Sequence, residues 1–143
     1  MSRYPIRRER DHNGTWLVTA ADFPEVTTFG DTVEDALEHA RDAIEEAIAA
    51  RIHDGMDLPA PRERPGRPSD FVELPAMTGL KARLYTTTRE LGISRAELAR
   101  RLGWHREQVD RLFRIDHQSQ LSQLETAFRA IGLRLEIATR QMA

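Results

Sequence analysis

The chain has 143 residues, 40% of them hydrophobic, which is enough for one average domain or two small ones. Its formal charge of −2 argues against a uniformly basic nucleic-acid binder, and the absence of cysteine excludes disulfides and thiolate metal sites. The charge is unevenly spread. Residues 1–66 hold 8 Lys+Arg and 14 Asp+Glu, whereas residues 67–143 hold 13 and 9, so an acidic half precedes a basic one. No basic-then-apolar leader opens the sequence and no apolar run reaches membrane-spanning length, so the expectation is a soluble, cytoplasmic protein with no membrane contact.

From Tyr4 to Glu9 the alternation of Tyr4, Ile6 and Arg8 with Pro5 and Arg7 predicts a strand. "DHNG" at 11–14 is a turn signal, and Trp16, Val18 and Ala20 then alternate with Leu17 and Thr19, which completes a β-hairpin. Phe23-Pro24 is expected to break the run, with Val26 to Phe29 supplying a third short strand.

"GDT" at 30–32 opens a long helix, capped by Asp31 or Thr32, with Glu34 or Asp35 favourably placed at its positive end. Val33, Ala36, Leu37, Ala40, Ile44, Ala47 and Ile48 form an apolar stripe at helical spacing, predicted to lie on one face of the sheet. Glu38, Asp42, Glu45 and Glu46 make an acidic outer face. Residues 53–70 carry four of the seven prolines and begin as a linker; Phe71 to Leu74 can return as a further strand.

The basic half starts with a helix from about Thr78, stopped at Gly92. In "SRAELARRLGWHREQVDRL", residues 94–112, Ser94 and Glu97 have capping-box spacing, and Ala96, Leu98, Ala99 and Leu102 face inward. Gly103 sits where a helix ends in a left-handed residue. Val109, Leu112 and Phe113 then share one side of a second helix, roughly His105 to Arg114, with Arg106, Glu107, Asp110, Arg111 and Arg114 on the other. The plain alternative is a helical hairpin with a solvated arginine face. A further helix carries Leu121, Leu124, Ala127, Phe128 and Ile131 and ends at Gly132. "LRLEIAT" closes the chain as an alternating strand with Leu133, Leu135 and Ile137 on one face, an edge expected to pair with a second subunit.

Enzymatic readings find little support. The five histidines, His12, His39, His53, His105 and His117, lack metal-ligand spacing and read as surface residues. Asp22, Glu25 and Asp31 invite comparison with a nuclease cluster, but a two-metal site needs acids converging from central strands, and these fall in loops and a helix cap. No phosphate loop or nucleophile elbow is present. The expectation is a non-enzyme without metal or other cofactor.

Ala99, Gly103, Val109 and Leu112, with the Ser94 cap, resemble the helix-turn-helix of Cro/XRE-like repressors. That resemblance implies a second helix in the major groove, with Arg106, Glu107 and Arg111 facing bases and Arg95 and Gln108 reaching phosphates; His105 and Arg114 complete the candidate DNA-binding set. Trp104 lies where the motif wants an apolar residue and is read as packing in the turn rather than stacking on a base.

Over nearly its whole length the chain also resembles the HicB antitoxins of bacterial HicAB toxin–antitoxin pairs. The match runs through "YPI" at 4–6, "NGTWLV", "DFPEV", "TTFGDTVEDALEHA" and "LPAMTGLKARLY"; where many relatives have a longer loop with Gly-Cys, this chain passes directly through "EVTTF". The resemblance implies an α+β protein. Residues 1–75 would be a truncated RNase H-like antiparallel sheet with a long helix, without nuclease activity, and residues 76–143 an all-helical helix-turn-helix domain ending in a strand. It implies a HicA-type, mRNA-cleaving basic toxin as partner, operator double-stranded DNA as a second, and a homodimer or higher even-numbered oligomer. Acidic charge in the first half suits a basic partner, and Trp16, Glu38, Asp42 and Glu45 are the candidate contacts. The competing reading is a stand-alone regulator whose first half senses a small ligand.

Overall fold

The computed structural model describes residues 2–61 and 71–142. Among the described residues four strands and five helices run in the order β1 (Arg3–Arg10), β2 (Trp16–Ala20), β3 (Phe23–Gly30), α1 (Val33–His53), β4 (Phe71–Glu73), α2 (Ala76–Glu90), α3 (Arg95–Leu102), α4 (Arg106–Leu112) and α5 (Leu121–Ala130). The strands form one antiparallel sheet in the order β3-β2-β1-β4.

The β1–β2 hairpin turns where "DHNG" predicts. Asp11 accepts from the backbone N–H of Asn13 and of Thr15, at 2.8 and 3.1 Å, and Gly14 takes φ +83°. In register, Ile6 pairs with Ala20 and Arg8 with Val18, so the buried residues of the two strands share a face. The predicted break at Phe23-Pro24 does not occur: both residues belong to β3, which spans eight residues rather than four. β3 is an edge strand, where a proline's missing N–H costs no ladder bond, and a bulge opposite Thr19–Ala20 absorbs the misfit.

α1 lies across β2 and β3 and buries Ala36, Ala40, Ile44, Ala47, Ile48 and Ile52. Thr32 is its N-cap, its hydroxyl accepting from the Asp35 N–H at 3.1 Å. Gly30 makes this approach possible, because a Cβ there would collide with the Ala36 backbone. The helix runs through His53, into the segment expected as linker; of that segment residues 62–70 lie outside the described residues. The stretch after α1 is fastened at two points. The Tyr4 hydroxyl donates to the Pro59 carbonyl at 2.9 Å and the Tyr85 hydroxyl to that of Met56 at 2.7 Å.

α2 starts at Ala76, two residues before the predicted Thr78, behind Pro75 at the N-cap. It packs against both α1 and α5, while α3 packs against α4 and α5. The buried apolar side chains form one continuous cluster, from Tyr4 and Val18 through Leu74 and Leu84 to Leu98, Leu112 and Phe128.

Two expectations for the second half need correction. α4 ends at Leu112, not Arg114. Residues 133–142 carry no strand: the Leu133 N–H instead donates to Phe128 at 2.9 Å, closing α5, and among the described residues the segment pairs with neither edge of the sheet. Leu135 packs against the core while Leu133 and Ile137 are exposed. No helix among the described residues is long and apolar enough to cross a membrane.

Candidate nucleic-acid and protein interfaces

α3 opens on Ser94, whose hydroxyl accepts from the Glu97 N–H at 3.1 Å. The reciprocal half of the predicted capping box is not made. The Glu97 carboxylate turns to Arg100 and Arg101, at 2.6 and 3.2 Å, and these two guanidinium groups hold it below the usual carboxylate range. Arg101 also donates to the Ala130 carbonyl at the end of α5, at 3.2 Å. Gly103 has φ +67°, and α3 ends there as predicted. Trp104 is half-buried against the core, as a packing residue should be.

α4 buries Val109 and Leu112 and leaves His105, Arg106, Glu107, Gln108 and Arg111 exposed. The exposed set does not project freely throughout. Gln108 accepts from the His105 N–H at 2.8 Å, so its side-chain oxygen caps the helix. Arg106 donates to Asp110 at 3.2 Å, and Arg95 reaches the same carboxylate from α3 at 3.1 Å. The Arg95 guanidinium also lies over the Phe113 ring, 4.9 Å from its centroid. Arg95, the residue expected at a phosphate, is half-buried between the two helices. Arg114 pairs with Asp116 at 3.1 Å, which holds the Asp116 carboxyl below its ordinary range. Among the described residues neither Glu107 nor Arg111 has an ion-pair partner. The outer side of α4 therefore presents Arg106 and Arg111, with Arg114 at its end, donors suited to acceptor-rich base edges and phosphates, and Glu107, an acceptor suited to a base amino group.

Beneath that face lies a residue the sequence did not single out. Lys81 of α2 is fully buried, and its Nζ donates to the carbonyls of Arg111, Arg114 and His117 at 2.9, 2.8 and 2.6 Å. A lysine within an amphipathic helix gives no warning of this; only the absence of a glycine after α4 hints that its end is closed from elsewhere.

In the first half, Glu38 and Asp42 are exposed one turn apart on α1, beside Glu34 and Glu46. Glu45 is half-buried and accepts from the Thr78 hydroxyl at 2.8 Å, tying α1 to α2. Trp16 is also half-buried, with the Arg8 and Arg10 guanidiniums 5.4 and 5.8 Å from its ring. Of the four candidate protein contacts, only Glu38 and Asp42 stand together on an open acidic surface.

The acids that invite comparison with a nuclease do not assemble. Glu25 is gripped by Arg51 at 3.0 and 3.1 Å, and the described residues contain no group of three or more His, Asp or Glu able to hold a metal ion.

Residues 3–83 match the family described as HicB-like antitoxin of bacterial toxin–antitoxin system. An antitoxin HicB of Pseudomonas fluorescens is 37% identical over 135 residues, covering 94% of this chain and 92% of the relative. The antitoxin HicB of Escherichia coli K12 is 32% identical over 135 residues, covering 94% and 97%. A crystal structure of the Burkholderia pseudomallei antitoxin HicB superposes over 72% of this chain and 96% of its own, at 18% identity and a TM-score of 0.46.

Proposed function

The chain belongs to the HicB-like antitoxin family of bacterial toxin–antitoxin systems, and from that membership we propose that it neutralises a HicA-type toxin and represses its own operon. Residues 1–75, a truncated RNase H-like unit, bind the toxin; residues 76–143 read operator DNA and hold two copies of the chain together. The protein performs no catalysis and works in the cytoplasm, where messenger and promoter are both within reach.

The observation that carries the DNA assignment is the pairing of α3 and α4 across left-handed Gly103, with Arg106, Glu107 and Arg111 on the outward side of α4. A helix so mounted, with its apolar side on the core, offers its polar side to a major groove. Toxin binding draws support from Glu38 and Asp42, whose charge suits a basic partner. Assembly draws support from exposed Leu133, just after α5, and exposed Ile137, which lies near α2 and residues 58–61.

Two assays test this reading together. Co-expression with a HicA-type toxin, sought first as a short basic reading frame beside this gene, should relieve the growth arrest that the toxin causes, and a Glu38→Lys/Asp42→Lys variant should relieve it less well. Duplex DNA from immediately upstream of the gene should bind more tightly than a scrambled duplex of equal length. If no toxic neighbouring product is neutralised, the antitoxin assignment fails; equal binding to the two duplexes removes the repressor assignment.

A further inference from the structure

Among the described residues, α1, α2, α3 and α5 end in the same way. Each is followed by a glycine at positive φ, Gly55 at 69°, Gly92 at 68°, Gly103 at 67° and Gly132 at 86°. After each glycine the next N–H reaches back into the helix, from Met56 to Arg51 at 2.8 Å, Ile93 to Thr88 at 2.9 Å, Trp104 to Ala99 at 3.1 Å and Leu133 to Phe128 at 2.9 Å. This closure answers the carbonyls that a helix end leaves without intrahelical donors. α4 has none of it. Its chain continues through Phe113 into Arg114, and among the described residues none other than glycine adopts positive φ.

The backbone closes this end only through successive three-residue turns, the Arg114 N–H to the Arg111 carbonyl at 3.3 Å and the His117 N–H to the Arg114 carbonyl at 3.2 Å, and Lys81 adds donors from another helix. An ammonium has three donors, and here each meets a carbonyl, those of Arg111, Arg114 and His117. A cation at this end also opposes the negative pole of the helix. Burial pulls the Lys81 pKa down to about 8, with Asp116 acting in the opposite sense, so the group still carries its proton at neutral pH.

We propose that Lys81 is a positioning residue for the DNA-reading helix: delivered from α2, its ammonium closes the C-terminal end of α4 and fixes residues 111–117 relative to the rest of the fold. The proposal rests on the assignment of α4 as the helix that reads DNA. A glycine closure is local and would travel with the helix wherever it moved. A closure made by Lys81 ties α4 to α2. Arg111 and Arg114 each give a carbonyl to Lys81 while keeping their guanidiniums exposed, so one buried contact sets the backbone from which both are presented.

The full chain contains no cysteine, so Lys81→Cys introduces a single thiol that can be alkylated in denaturant before refolding. Bromoethylamine restores an ammonium at nearly the length of lysine; bromopropane restores the length without the charge. The probes are the duplex from immediately upstream of the gene and its scrambled counterpart. The propylated protein and Lys81→Met should bind the upstream duplex about tenfold more weakly, an effect the size of losing one charged hydrogen-bonding group. Binding to the scrambled duplex should change much less. The aminoethylated protein should recover wild-type affinity, and amide exchange at 114–118, accelerated in Lys81→Met, should slow again. Equal affinities for the propylated and aminoethylated proteins overturn the proposal. If the uncharged variants do not refold, the wild type decides: ammonium hydrogens of Lys81 that exchange at the rate of an exposed lysine overturn the cap. Wild-type protein that treats both duplexes alike removes the DNA-reading role of α4, while protected ammonium hydrogens would leave the cap itself standing.

Discussion

Arg95 at the start of α3 donates to Asp110 on α4 at 3.1 Å, and the same guanidinium covers the Phe113 ring at 4.9 Å. This side chain therefore helps to join the two helices. Arg95→Ala should lower thermal stability, by about 0.5–2 kcal/mol for a partly exposed ion pair together with a cation–π contact. DNA affinity should fall with it, for upstream and scrambled duplexes alike. A melting curve unchanged from wild type would show that Arg95 is free to act at a phosphate alone.

Arg111 offers the contrast. Its guanidinium is exposed and makes no ion pair among the described residues, so nothing in the fold depends on it. Arg111→Ala should leave the melting temperature unchanged and cost about 1–3 kcal/mol on the upstream duplex, with much less effect on the scrambled one. Arg106→Ala should combine both behaviours, because Arg106 also bonds Asp110 at 3.2 Å. Affinity titrations on both duplexes, each beside a melting curve, separate the cases. Equal losses on the two duplexes for Arg111→Ala would mean that this face does not read bases.

The features legible in the sequence and those hidden from it divide along the reach of the interactions. The Asp11 turn, the Thr32 cap, the α1 stripe and left-handed Gly103 each depend on residues within about one or two turns, and such signals can be seen in a linear chain. Pro24 is different, because its tolerance depends on β3 lying at the sheet edge, a property of strand order. Glu97 has two local choices, its own cap or Arg100 and Arg101, and spacing does not rank them. Lys81 closes a helix some thirty residues downstream through contacts that no periodicity encodes. The terminal segment is not a strand for a related reason, since alternation alone does not say whether a segment will meet and pair with a sheet edge.

Gly30 should tolerate no side chain. Its φ is not in the left-handed region, so the constraint is packing: a Cβ would strike the Ala36 backbone in the first turn of α1, and backbone cannot rotate away. Gly30→Ala should destabilise the fold by about 1–3 kcal/mol, the usual range for overpacking. Chemical denaturation would show it as a lower midpoint with an unchanged slope. A midpoint equal to wild type would mean that α1 shifts off the sheet without cost.

The terminal leucines and isoleucine bear on assembly. Leu133 and Ile137 are 40% and 64% exposed, large apolar side chains that a second copy could cover. Ending the chain after Gly132 should shift sedimentation from dimer to monomer and weaken upstream-duplex binding, because two reading helices on one dimer engage two half-sites together. A truncated protein that still sediments as a dimer would place the interface on another surface, with the β3 edge the next to test.

Tyr4 gives the fold a pH dependence with a definite sign. Burial, reinforced by the charge of Asp22 and opposed by Arg51, raises its hydroxyl from 10.0 to about 12, and that hydroxyl donates to the Pro59 carbonyl at 2.9 Å. The unfolded chain loses this proton near pH 10 while the folded chain keeps it. The stabilisation is therefore complete below pH 10 and disappears as pH rises through about 12. The chain has two tyrosines, so tyrosinate absorbance can be resolved. The wild type should show a tyrosine that ionises well above the ordinary phenol range, and Tyr4→Phe should remove that step. The same substitution should cost about 1 kcal/mol at neutral pH, the net value of an ordinary hydrogen bond. It should also increase amide exchange at Leu58 and Ala60, because the phenol holds that segment against β1. A Tyr4→Phe protein that retains the late-ionising step would show that Tyr4 is not the tyrosine held by burial.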